Sequence, residues 1–348
     1  MKHRLKSYKL IKVFLVTLFV ILQLLSLTGC SLTQDNDVIG TKYYVRSQNQ
    51  IIMLDEKQNI LKKIDIPWLA DMELAKNGKL YAIQDGEMAY NKVVVIEGDK
   101  IKKEIPLKYG LLDFLRYNPY DNKMYLSQTR NITKANENCI TVIDTEKDIQ
   151  ESIIPYNKYI RSDMTFTDKN ELITSGFDND PINPKAFIDV IDLKQKKVKK
   201  SIPLKYPLTS MVYNDGKIYG TTFIKKEHNS DLYCIDLKSN KINVFKMKYP
   251  SPNKIKINPK DDLIYIAHGD GEVSQKYADR ITVFDPIKNK IVDELEFSNQ
   301  QMVIQDMNVE GDSVYLSDWK NGKICRVFNN KIEEFKNIKS PWEILVAN

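Results

Sequence analysis

Residues Ile264 to Glu296 read IYIAHGDGEVSQKYADRITVFDPIKNKIVDELE. The apolar run Ile281-Thr282-Val283-Phe284 stops at Asp285, a polar turn covers Pro286 to Asn289, and Lys290-Ile291-Val292 resumes an alternating pattern. An apolar run and an alternating run on either side of a short turn rich in Asp, Pro and Asn read as a β-hairpin. Ile264-Tyr265-Ile266 is a further strand, separated from the hairpin by the long loop His268 to Arg280.

Copies of this unit recur along the chain. The residue pair that closes the hairpin's first strand returns as Leu54-Asp55, Ile96-Glu97, Ile143-Asp144, Ile191-Asp192, Ile235-Asp236, Phe284-Asp285 and Phe328-Asn329, at intervals of 42 to 49 residues. That is the period of propeller blades. Each hairpin is preceded by a strand with Tyr44, Tyr81, Tyr125, Tyr219, Tyr265 or Tyr315, with Ile173 in the fourth unit. Before that comes an apolar strand beginning near Asp71, Asp113, Asp163, Ser210, Asn253 or Asp306, so a unit has four strands. No stretch after residue 41 keeps a 3.6-residue apolar period, and the fold class is therefore all-β. The first unit lacks its first strand, whereas Ser340 to Val346 forms an extra one at the C-terminus. The expectation is a seven-bladed β-propeller over residues 42–348, its first blade completed by the C-terminal strand so that no edge stays open.

The run Pro252 to Leu295, with Ile257-Asn258-Pro259, Asp262, Ile264-Tyr265-Ile266, Ile281 to Asp285 and Lys290-Ile291-Val292, resembles the YVTN (YncE-like) β-propeller repeat. Weaker copies cover nearly all of residues 42–348. The resemblance implies a seven-bladed propeller, commonly extracytoplasmic, and names no ligand.

The N-terminus points the same way. Lys2, Arg4, Lys6, Lys9 and Lys12 make a basic start, Val13 to Leu27 an apolar segment of 15 residues, and Leu27-Thr28-Gly29-Cys30 follows. The segment is short for a membrane span, and its ending resembles a bacterial lipobox. Residues 1–29 then read as a lipoprotein signal peptide and 30–41 as a lipidated Cys30 with a polar tether. The implied location is the extracytoplasmic side of the cell membrane, with acyl chains on Cys30 as the anchor. The formal charge of +6 loses its meaning with that segment: 52 basic residues less five leaves 47, against 46 acidic ones. A nucleic-acid partner is not expected of so balanced a chain. Cys139, Cys234 and Cys325 each lie in an apolar strand of a different unit, which suits buried thiols rather than a disulfide.

In a propeller the first strand of each blade lines the central channel. Its starting positions place Asp71, Asp113, Asp163, Ser210, Asn253, Asp306 and Glu343 in a ring at one channel mouth. Carboxylates so gathered need neutralising, so a cation or a cationic ligand group could sit there. The other reading is architectural, with each side chain bonded to backbone of the neighbouring blade. Connections on this face are long in blades 3 to 6, and loop candidates there are His228, His268, Asp270 and Glu272. Exposed loop histidines without a role are the plainer reading of the two His residues. Trp319, with Trp68 and Trp342, lies near strand starts or loops, where packing between blades or stacking on carbohydrate or peptide would use it. No phosphate loop, nucleophile elbow, zinc motif or haem motif occurs, and no cofactor is identified. The functional expectation is a surface-displayed module binding a protein, peptide or small-molecule ligand. The alternatives are a hydrolase or lyase working through the ring carboxylates, and a scaffold for envelope assembly.

Overall fold

In the computed structural model the middle strands are buried on both faces, which is why they read as unbroken apolar runs. The structure describes residues 40–86, 91–107, 111–129, 138–156, 158–178, 185–222, 229–269, 280–297, 302–329 and 331–347. These form 28 strands, β1 to β28 in chain order, in seven antiparallel four-stranded sheets, with no helix among the described residues. Blade 2 shows the pattern: β4 (Leu69–Leu74), β5 (Leu80–Gln84), β6 (Lys92–Glu97) and β7 (Lys100–Pro106) pair in sequence order from the channel outward.

The core is a ring of seven layers, each shared by two neighbouring blades. Because side chains alternate across a strand, Leu80 and Ala82 pack towards blade 1 with Ile51 and Met53. Tyr81 and Ile83 of the same strand pack towards blade 3 with Leu115, Met124 and Leu126. The other layers repeat this arrangement. Outer strands meet water, and the apolar Ile101 and Val198 on them stay exposed. Cys139, Cys234 and Cys325 are buried free thiols, each in a different blade.

The aspartates that end third strands are turn formers on the face opposite the ring. Asp144 Oδ1 accepts the Glu146 and Lys147 N–H groups at 2.9 Å, and Asp285 Oδ1 accepts those of Ile287 and Lys288 at 2.9 and 2.8 Å. Such Asx turns need short acceptor side chains, which explains the repeated Asp in the sequence pattern.

Closure uses the C-terminus. β28 (Pro341–Val346) pairs antiparallel with β1 (Tyr43–Ser47), which continues to β2 (Gln50–Leu54) and β3 (Ile60–Asp65). β28 also carries the fully buried Ile344 into the layer between blades 7 and 1. Fully burying one such aliphatic side chain contributes about 1.5–3 kcal/mol, to which the strand's hydrogen bonds add. Removing residues 339–348 should therefore abolish the cooperative thermal transition, read by circular dichroism. Adding the same ten residues as a peptide should restore it; an unchanged transition in the truncated chain would refute closure by this strand.

Candidate functional site

The first strands lie innermost, and six of the seven break register near the expected ring position. In β4 the break falls between Leu69 and Asp71, in β8 (Leu111–Asn118) between Leu112 and Leu115, and in β12 (Tyr159–Phe166) between Ile160 and Met164. In β20 (Pro252–Ile257) it separates Pro252 from Lys254, in β24 (Ile304–Glu310) it separates Ile304 from Asp306, and β28 skips Trp342 against β1. Only β16 (Ser210–Asn214) pairs regularly. A bulge re-aims the side chain beside it.

Side chains at these ring positions, with or without a bulge beside them, bond to neighbouring blades. Asp71 Oδ2 accepts the Leu115 N–H at 2.8 Å, Ser210 Oγ accepts the Ile255 N–H at 3.2 Å, and Asp306 Oδ2 accepts the Ile344 N–H at 3.2 Å. Asn253 Nδ2 donates to the Ile304 carbonyl at 2.8 Å. Asp163 accepts its neighbour Met164's N–H at 2.9 Å and Arg116 Nε at 2.5 Å. Glu343 accepts from Arg46 Nε at 3.1 Å within blade 1, where β28 meets β1. Asp113, partly buried in β8, is engaged as well.

Cations from the inner strands supply the counter-charge. Arg116 stands 2.9 Å from Asp71, 3.8 Å from Glu73 and 2.5 Å from Asp163, bridging blades 2, 3 and 4. Burial opposes ionisation of Asp163, but Arg116 and Lys256 outweigh it and hold the carboxyl below its usual range. Burial likewise opposes the charge on Lys256, and Asp306 and Asp163 outweigh it. Glu73 is pushed up to about 7, by burial first, with Arg116 and Lys256 pulling the other way and Asp71 and Asp163 adding to the rise. Burial, reinforced by Asp71 and opposed by Arg46, raises Glu343 well above an ordinary carboxyl. Among the described residues no three His, Cys, Asp or Glu side chains gather as a metal site requires.

The loop candidates fare differently. His268 is not an exposed loop residue: it ends β21 (Ile264–His268) with no exposed surface. Its Nδ1 lies 3.0 Å from the Pro250 carbonyl and its Nε2 2.8 Å from Thr282 Oγ1, and burial lowers its pKa to about 4. It is a satisfied core histidine, since Gly269 and not His268 begins the loop. His228, Asp270 and Glu272 lie outside the described residues, as does Cys30. Trp319 is exposed on the ring face, its ring centroid 5.9 Å from that of Trp342.

The sequence reading missed Arg116, Glu73, Lys256 and Arg46. A signal existed: Asp71-Met72-Glu73 and Lys254-Ile255-Lys256 place charges two residues apart in inner strands, and a period of two puts both on the channel side.

No family model matches the chain, and no curated protein matches it. Solved structures do resemble it in fold. A functionally unknown protein from Desulfotomaculum acetoxidans DSM 771 superposes with a TM-score of 0.65 at 11% identity, over 88% of this chain and 99% of that one. Kuenenia stuttgartiensis hydrazine synthase gives 0.60 at 14% identity, over 84% and 91%. Kluyveromyces lactis Hsv2 gives 0.51 at 12% identity, over 75% and 73%. At such identities the likeness establishes the β-propeller fold alone.

Arg116→Met leaves Asp71, Glu73 and Asp163 uncompensated and should cost about 3–5 kcal/mol in urea unfolding at pH 8. The cost should shrink at pH 5, where Glu73, raised to about 7, is protonated; a loss below about 1 kcal/mol at pH 8 would contradict the bridging role. His268 has a folded pKa depressed from 6.5 to about 4, so its stability contribution is present above pH 6.5 and is lost as pH falls towards 4. A drop of 2.5 units corresponds to about 3 kcal/mol. His268→Gln should flatten the stability profile of the protein across that window by a comparable amount.

Proposed function

We propose that the protein is a lipid-anchored, extracytoplasmic propeller of the YVTN (YncE-like) type that binds a ligand or partner on the face where the inner strands begin. The observation that carries this reading is an asymmetry of use. Asp71, Asp163 and Asp306 are occupied in holding blades together, while the three tryptophans of the chain all stand exposed on that same face. Exposed large aromatics on a rigid scaffold are a mark of recognition surfaces. The lipobox-like Leu27 to Cys30 supports acylation of Cys30 and display outside the cytoplasm.

A second reading, catalysis as a hydrolase or lyase, has one observation in its favour. Glu73, with a pKa near 7 in the channel, has the proton affinity of a general acid–base. Its side chain keeps 25% of its surface exposed. The binding reading requires that Glu73→Gln leave ligand capture intact.

Cys30→Ser should release the protein from the membrane fraction and abolish incorporation of labelled palmitate; retention in membranes without label would contradict the anchor. Photo-crosslinking residues at Gln48 and Trp319 should yield adducts in intact cells, whereas one at Glu146 on the opposite face should not. Protein adducts would identify an assembly partner, and adducts at Glu146 alone would place the working surface on the wrong face.

A further inference from the structure

Trp68 is 64% exposed, Trp319 41% and Trp342 37%. Trp342 and Trp68 line one cleft of about 310 Å³ together with Arg46, Gln48, Asn49 and Asp85. That volume falls at the lower end of small-molecule sites, about 300–1,000 Å³. Trp319 extends the aromatic surface outwards, its ring tilted 57° to that of Trp342.

Trp68 sits in the left-handed region at φ 60°, where a bulky side chain is an outlier. The residues that precede inner strands β20 and β28, Ser251 and Ser340, share this geometry at φ 55° and 47°. The backbone conformation therefore belongs to the fold, and the indole does not. The Trp68 N–H donates to Asn49 Oδ1 at 3.1 Å, and its carbonyl accepts the Asp85 N–H at 3.0 Å. A strained position holding a mostly exposed indole gains little from packing, so packing does not account for the residue.

The polar lining selects the ligand. The Arg46 guanidinium lies 5.7 Å from the Trp342 ring centroid, so an added cation would meet a positive charge there. An anion would find Arg46 already bonded to Glu343 and to the Leu69 carbonyl at 3.3 Å, with Asp85 lining the same cleft. Burial raises the Asp85 pKa, which shows that the surroundings already disfavour charge. A neutral ligand fits: one with apolar faces for the indoles and hydroxyl or amide groups for Gln48, Asn49 and Asp85.

We propose that the cleft between Trp68 and Trp342 is a glycan subsite that stacks a neutral pyranose ring on the indoles, with Trp319 available to the next ring. This rests on the reading of the ring face as the binding face and names the ligand class for it.

The test uses the intrinsic fluorescence of the folded chain, since every tryptophan in it reports on this surface. Chitotetraose, cellotetraose and maltotetraose are titrated separately. At least one should shift the emission to the blue and saturate. Trp68→Gly relieves the left-handed strain, so its melting temperature should hold or rise, while affinity falls at least about tenfold. Absence of a saturable response to all three sugars overturns the proposal, as does unchanged affinity in Trp68→Gly. A response to a proline-rich peptide in place of the sugars also overturns it. If the sugars fail while crosslinks from Gln48 or Trp319 persist in cells, the glycan class falls and the binding face stands.

Discussion

Closing a ring of blades forces the starts of seven inner strands together, and the polar groups placed there must be neutralised by the chain itself. Arg116 reaches Asp71, Glu73 and Asp163, so that one guanidinium ties three blades. In a partly dehydrated channel an uncompensated carboxylate is costly, so the ion pairs and the backbone latches form one system. The apolar layers fill the space between blades, and the inner polar contacts tie neighbouring blades at the channel.

That division explains which features were legible in the sequence. The blade count came from spacing, because each third strand must end in a tight turn and Asp55, Asp144, Asp192, Asp236 and Asp285 supply it. Closure was legible from the surplus strand at Ser340 to Val346, since an unpaired edge has to be met somewhere. The ring was legible as positions, but its charge balance was not. Arg116 and Lys256 are separated by 140 residues, and only the curvature of the ring brings both into the field of Asp163. His268 was misplaced for a local reason: the strand runs one residue further than its Gly-Asp-Gly ending suggests, and Thr282 on the facing strand satisfies the imidazole.

The tryptophans illustrate a different limit. Trp68, Trp319 and Trp342 are scattered along 275 residues, and each taken singly reads as inter-blade packing. Only the juxtaposition of the last blades with the first turns them into one exposed surface. The long connections of blades 3 to 6 drew attention in the sequence, yet the aromatic cleft opens over blades 1 and 2, where the turn Gln48-Asn49 is short. The cleft is lined by residues at or beside strand ends, among them Arg46, Trp68 and Asp85, rather than by the long connections.

The inner polar ring holds the blades and leaves recognition to the surrounding face. Native-state hydrogen exchange tests it most directly, because the amides of Leu115, Ile255 and Ile344 donate to ring side chains rather than to a strand partner alone. If the ring holds the blades, these three amides exchange only with global unfolding, as slowly as the buried middle strands. Fast exchange at these amides, with the middle strands still protected, would show instead that the ring side chains do not hold the blades and are free to serve a ligand.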